Sequence, residues 1–216
     1  MTREYRDIRD IIMTGHCGVQ FVSGGNGVYD LLKLSESELN RIVENLMHLN
    51  DLADFIIFDT GAGINDNVLR LVRASDEMII ITTPEPTAIL DAYALVKTAA
   101  RDTSRWGAYN RDQIVRLVVN KIETVKEANA ALTSFSGVIK NYTGIDVDPL
   151  GYIVFDPAVT RAIKRQEPLM ISYPASSAAS NINDIADKLL NEPGSTKKKD
   201  GGMSQFIRYF TKEKNL

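Results

Sequence analysis

Along the chain, short runs that are apolar on both faces alternate with stretches whose apolar positions recur every three or four residues. The first pattern predicts buried strands and the second amphipathic helices. Residues 19–22 predict a short strand, closed by Ser23-Gly24-Gly25-Asn26-Gly27. Ser35 followed by Glu38 is a capping box opening a helix to about residue 49, with Leu39, Ile42, Val43, Leu46 and Leu49 on one stripe. Phe55-Ile56-Ile57-Phe58 predicts a buried parallel strand ending in Asp59. A helix over about 65–74 follows, then a strand over 78–81 and a helix over about 86–100, where Pro86 suits the first turn. Residues 114–119 predict a strand ending in Asn120-Lys121, followed by a long helix to about 141. A strand over 150–155 ends in Asp156-Pro157, and helices over about 158–165 and 175–190 complete the pattern. Strands alternating with such helices form βαβ units. The predicted fold is therefore three-layer α/β, a mostly parallel sheet with helices on both faces.

Composition narrows the class. The 216 residues are 44% hydrophobic and 25% charged, enough for one domain with a sizeable core and too apolar for a disordered chain. A single cysteine, Cys17, excludes an internal disulfide and fits a reducing, cytoplasmic compartment. No apolar run approaches the ~20 residues of a spanning helix, and the polar start carries no secretory pattern. His16, His48 and Cys17 lie in no metal-ligand spacing, and Trp106 and Tyr109 read as a loop near a helix end.

Charge is distributed unevenly. From Ser195 to Leu216 the chain holds six bases and two acids, a net of +4, whereas the preceding 194 residues carry a net of −7. An acidic body is a poor match to a general nucleic-acid binder, so no nucleic acid is expected as a partner. The basic tail points to an electrostatic partner of its own. Residues 191–202 (NEPGSTKKKDGG) read as a flexible linker. Beyond it Met203, Phe206, Ile207 and Phe210 recur at helical spacing on one stripe, with Arg208, Lys212 and Lys214 outside it. Such a helix could dock on the domain. The Gly201-Gly202 hinge and the lysine run favour an anionic membrane surface instead. The expected organisation is an α/β domain over 1–190, the linker over 191–202 and an amphipathic membrane-targeting helix over 203–216.

In parallel sheets ligands bind at the carboxyl ends of the strands. The polar residues there are Asp59-Thr60-Gly61-Ala62-Gly63, Thr82-Thr83-Pro84-Glu85-Pro86, Asn120-Lys121 and Asp156-Pro157. A carboxylate after an apolar strand can hold Mg²⁺ through water, glycines let backbone N–H groups approach a phosphate, and Asn offers the donor and acceptor that match an adenine edge. Each of these residues by itself also reads as a turn former. Their succession along one predicted sheet edge favours a site.

The chain resembles the MinD/ParA group of P-loop ATPases, and within it the FlhG (FleN, YlxH) branch that regulates flagellar number and placement. The resemblance rests on GVQFVSGGNGV at 18–28, DFIIFDTGAGI at 54–64, ITTPEPTAILDAYALVK at 81–97, VVNKIETVKEA at 118–128 and YIVFDPAVTRAIKRQEP at 152–168, and it extends over residues 5 to 190. It implies a P-loop NTPase-like fold with ATP and Mg²⁺ as cofactors. Asp59 would be the Walker B-type carboxylate, and Gly61 to Gly63 part of the switch that senses the γ-phosphate. Asn120 would recognise adenine, the loop at Asp156 and Pro157 would close over base or ribose, and Glu85 would contact the nucleotide or a partner subunit. The resemblance further implies an ATP-dependent homodimer that binds the cytoplasmic face of the cell membrane and acts on flagellar assembly or positioning proteins.

One defining element is missing. No G-x-x-x-x-G-K-S/T loop, nor a lysine-bearing variant, occurs in the 216 residues, and Ser23-Gly24-Gly25-Asn26-Gly27 reads as a tight turn. On the resemblance, the sequence is expected to begin after the first strand, the phosphate loop, the first helix and the next strand. Without the backbone cradle and its lysines a triphosphate is poorly offset, so this chain is expected to bind ATP weakly. Two apolar strand edges would then pair with each other or stay open. A non-catalytic adaptor of the same fold is the alternative function, and a ParA-like DNA-partitioning protein fits the acidic body less well.

Overall fold

The computed structural model describes residues 12–22, 52–61, 63–101 and 113–191. The predicted helix over 35–49, the turn at 23–27, Trp106, Tyr109, the linker and the tail helix with Met203, Phe206, Ile207 and Phe210 lie outside those residues. Contacts divide the chain into two units, Met1–Gly61 with Gly201–Leu216, and Ala62–Asp200.

In the first unit, β1 (Met13–Thr14) and β2 (Gln20–Phe21) pair antiparallel around a 3₁₀ turn at His16–Gly18. The strand expected over 19–22 is thus one short arm of a hairpin, solvent-exposed on both sides. The buried parallel strand expected at Phe55-Ile56-Ile57-Phe58 is not formed. These residues carry no regular structure, and Ile57 is 87% exposed. An apolar run becomes a strand only by joining a ladder, and no described strand is hydrogen-bonded beside this one.

The second unit runs α1 (Asp66–Ala74), β3 (Glu77–Thr82), α2 (Pro86–Arg101), β4 (Ile114–Ile122), α3 (Val125–Thr143), β5 (Val147–Val154), α4 (Pro157–Arg165), the short α5 (Leu169–Ser172) and α6 (Ser177–Asn191). Strands β3, β4 and β5 lie parallel in that order. The helices start where the local chemistry directs. Asn65 caps α1 by accepting Val68 N–H at 3.0 Å, and Thr124 caps α3 by accepting Glu127 N–H at 3.2 Å.

One sheet face turns Met78, Ile80, Val115, Leu117 and Val119 into a core closed by α1, α2 and α3, where Val96, Ala131, Phe135 and Ile139 are buried. On the opposite face α6 packs on β5. Gly151 is needed there, because a Cβ would lie 2.9 Å from Ile185 Cγ1. Helices therefore cover both faces, as the sequence pattern predicts.

The two edges of this sheet differ. On β5, the Leu150 carbonyl accepts from Lys188 Nζ at 2.9 Å and Val154 N–H donates to Asn181 Oδ1 at 3.2 Å, so α6 seals backbone groups of the strand. No described strand pairs with the outer edge of β3, and Ile79 (45%) and Ile81 (65%) stay exposed on the same face as α6, which packs on β5 at the other side of the sheet.

A cross-strand ion ladder lies at the amino-terminal end of the sheet. Arg116 of β4, 2% exposed, donates to Glu77 Oε2 of β3 at 2.9 Å and to Asp148 Oδ2 of β5 at 2.6 Å. Arg73 and Gln113 tie the helices to this end. Arg73 Nε donates to the Ala99 carbonyl at 3.2 Å, while Gln113 Nε2 donates to the Ser75 carbonyl at 2.9 Å. Both satisfy carbonyls left free at helix ends.

Candidate functional site

Because the three strands are parallel, their carboxyl ends share one rim, and three of the sequence-predicted segments meet there. Thr82 is opposite Val119, and Asn120 is opposite Ile153. Glu85 and Pro86 follow β3, Asn120 ends the regular part of β4, and Asp156 and Pro157 follow β5.

At the β3 end, Glu85 is exposed and starts α2, its carbonyl accepting Ile89 N–H at 3.1 Å. The Thr83 hydroxyl, its own backbone N–H and the charge of Lys121 hold its carboxyl below the usual glutamate value of 4.5.

At the β4 end the ladder with β5 is irregular between Asn120 and Ile122, and Lys121 sits at φ 57°, in the left-handed region. Asn120 Oδ1 accepts Lys121 N–H at 2.8 Å, bracing this bulge. Among the described residues no hydrogen bond from the Asn120 amide N–H₂ is formed. Such bulges commonly re-aim side chains beside active sites.

At the β5 end, Asp156 joins two helices. Its Oδ1 accepts Ala158 N–H at 2.8 Å and its Oδ2 accepts Ala178 N–H at 3.2 Å. Those bonds, helped by Ser177 N–H and the charge of Arg161, lower its pKa below 3.8. Ala158, Ala178 and Ala179 are buried and small, which lets the amino termini of α4 and α6 converge on one carboxylate. Pro157 occupies the first turn of α4, where its missing N–H costs nothing.

Of the remaining predicted residues, Asp59 and Gly61 belong to the first unit and Gly63 to the second. Asp59 and Gly61 are exposed on the irregular segment of the first unit. Gly63 precedes the cap of α1 at φ +97°, a conformation that favours glycine. Among the described residues no group of three or more His, Cys, Asp or Glu side chains is arranged to hold a metal ion.

Sequence reading missed several residues here. Phe155, 62% exposed, stands on the rim just before Asp156, its backbone N–H donating to the Ile122 carbonyl at 2.8 Å. Its place at the end of an apolar run made it look like core. Lys121 reads in the sequence only as the neighbour of Asn120. Arg161, Arg165 and Tyr173 form a cluster that no local pattern announces, because Tyr173 lies well beyond the helix that carries the arginines.

No protein-family model matches the chain. It is similar to the antiactivator FleN of Pseudomonas aeruginosa, 27% identical over 187 residues, covering 87% of this chain and 64% of that protein. It is also similar to an uncharacterized ATP-binding protein of Methanocaldococcus jannaschii, 30% identical over 205 residues and covering 94% and 71%. The flagellum site-determining protein YlxH of Helicobacter pylori is 29% identical over 209 residues, covering 95% and 68%. Among solved structures, the MinD cell division protein of Aquifex aeolicus superimposes with a TM-score of 0.59 at 18% identity, over 88% of this chain and 77% of that one.

The described residues define an α/β protein with a parallel three-stranded sheet and helices on both faces. The chain belongs to the MinD/ParA family of P-loop ATPases, close to the FlhG branch. It spans about two thirds of the length of the curated relatives it matches.

Proposed function

We propose that this chain works as a MinD/FlhG-type regulator of flagellar number or placement, through nucleotide-dependent dimerisation and reversible membrane binding, and that these 216 residues bind ATP weakly by themselves. The observation that carries the reading is the convergence of Glu85, Asn120 and the Asp156–Pro157 loop on one rim of a parallel sheet. The flagellar names of two relatives support the process.

The rim's chemistry fits part of a nucleotide. The Asn120 amide donors match an adenine edge, and the open Phe155 ring offers a surface for stacking. A triphosphate fits poorly. Among the described rim residues, the carboxylates of Glu85 and Asp156 stand against the one ammonium of Lys121, and the sequence holds no lysine-bearing glycine loop. Bound Mg²⁺–ATP would supply the phosphoryl group, with Asp59 as the carboxylate for water-mediated metal contact. Gly61 and Gly63 would follow the γ-phosphate, and Glu85 would face nucleotide or partner subunit.

Membrane attachment would come from Met203, Phe206, Ile207 and Phe210. Each contributes about 1.5–3 kcal/mol if fully buried, so one anchor is marginal and two on a dimer act by effective concentration. The partners are then a second copy of the chain, the anionic cytoplasmic face of the cell membrane and flagellar assembly or positioning proteins. No nucleic acid is involved. Among the described residues no helix is long and apolar enough to cross a membrane.

Titration with fluorescent ATP and Mg²⁺ tests the nucleotide part. Weak or absent binding is expected, and micromolar affinity overturns the account of the phosphate grip. Co-sedimentation with anionic liposomes tests the tail, with loss expected in Phe206→Glu/Phe210→Glu. The two carboxylates against the one ammonium of Lys121 among the described rim residues favour one second reading, a non-catalytic adaptor of this fold. Normal flagellar counts in a host whose own FlhG-type protein is replaced by the chain, with no ATP bound in vitro, would support it.

A further inference from the structure

Two arginines one helical turn apart, Arg161 and Arg165 on α4, converge on a single tyrosine beyond α5. The Arg161 guanidinium lies 5.1 Å from the Tyr173 ring centroid and that of Arg165 6.0 Å. Both guanidinium groups, that of Arg165 first, draw the pKa of the tyrosine hydroxyl below 10.0.

Nothing in the fold requires this arrangement. Like charges four residues apart on a helix repel each other. One acid pairs directly with the cluster: Glu167 Oε2, 3.1 Å from Arg165 Nε. Arg161 feels the charge of Asp156, but both oxygens of that carboxylate accept backbone N–H groups. Lys164 adds a further cation on the same helix. Both arginines are exposed, so each guanidinium is pinned from below by an aromatic ring while its remaining N–H donors face water. Stacked arginines lose little further freedom on binding and grip carboxylates in bidentate fashion.

We propose that Arg161, Arg165 and Tyr173 form a docking clamp for an acidic helix of a partner protein, with two carboxylates one turn apart. The spacing carries the assignment: side chains at i and i+4 of α4 stand about 5–6 Å apart, the same interval that acids at i and i+4 of a second helix present. Charge separates this occupant from a lipid surface. Arg161, Lys164 and Arg165 less Glu167 leave the patch at +2, while residues 1–194 carry a net of −7. A rigid pair of forks on an acidic body suits discrete carboxylates rather than a diffuse anionic plane.

The test uses the full chain and a fluorescein-labelled, alanine-rich helical peptide carrying glutamates four residues apart. Fluorescence anisotropy should show saturable binding that salt weakens, and a matched peptide with glutamine in place of glutamate should not bind. Arg161→Gln/Arg165→Gln should weaken binding about tenfold or more. Arg161→Lys should recover little, because it restores charge without the fork, and Tyr173→Leu should weaken binding with Arg161 and Arg165 still present. Equal binding by Arg161→Gln/Arg165→Gln, or none by the wild type, overturns the proposal. So does an outcome in which that variant loses phosphatidylglycerol vesicles but keeps the peptide. Should the variants misfold, the Tyr173 ring resonances of the wild-type chain decide: a shift on peptide addition supports the clamp, and no shift overturns it.

Discussion

Asp156 and Ala178 are 22 residues apart in sequence, yet the Ala178 backbone N–H donates to Asp156 Oδ2 at 3.2 Å, while the same carboxylate caps its own helix through Ala158. One side chain thus sets the directions of α4 and α6 and, through them, the rim at the end of β5. Asp156→Ala should lower the urea midpoint more than Asp156→Asn, because asparagine keeps one oxygen acceptor for one of the two helices. Equal losses would place the effect elsewhere than in the shared carboxylate.

The same contact predicts a pH dependence. The Asp156 pKa in the fold is below 3.8, chiefly through Ala158 N–H and then Ala178 N–H, so the unfolded chain binds its proton more readily. Its contribution is present in full above about pH 4 and is lost as pH falls through the lower folded value. Asp156→Asn should flatten the acid limb of stability below about pH 4, measured as urea midpoint against pH.

Gly151 is set by contact. A Cβ there would stand 2.9 Å from Ile185 Cγ1, so Gly151→Ala should force α6 from β5 and cost about 1–3 kcal/mol. Ile185→Ala in the same chain removes the Cγ1 that clashes and should restore part of that loss, whereas additive losses in urea titrations would show that the two sites are independent.

Arg116 holds three strands together at their amino-terminal ends. Arg116→Ala leaves Glu77 and Asp148 facing each other without a cation and should destabilise the chain by about 3 kcal/mol. Arg116→Met should cost less, since it fills the cavity while the two partly exposed acids rehydrate. Chemical denaturation of both variants gives the comparison.

The outer edge of β3 carries Ile79 and Ile81 without the side-chain seals that Lys188 and Asn181 give β5. Ile79→Lys/Ile81→Lys should suppress concentration-dependent self-association in sedimentation velocity, with each exposed change altering stability by about 0.5 kcal/mol or less. Unchanged association would locate the sticky surface elsewhere.

Strong local patterns survived in the fold. The helices expected over 65–74 and 86–100 appear as Asp66–Ala74 and Pro86–Arg101, and the strand expected over 114–119 as Ile114–Ile122. Caps, helical stripes and a continuous apolar strand are written in near neighbours, so one sequence suffices to read them. Phe55-Ile56-Ile57-Phe58 has an equally good strand pattern and forms none, because pairing depends on an edge that another segment must supply. The short α5 carries too few residues to show a period.

The order of strand, helix and terminal polar residue is legible from amino acids alone, and with it the succession of Glu85, Asn120 and Asp156 along one rim. The two hydrogen bonds of the Asp156 carboxylate, the bulge that turns Lys121, the sealed edge of β5 and the stacking of two arginines on Tyr173 arise only when distant segments meet. Chain order encodes local preference at a range of a few residues, whereas these contacts depend on distances across the folded unit.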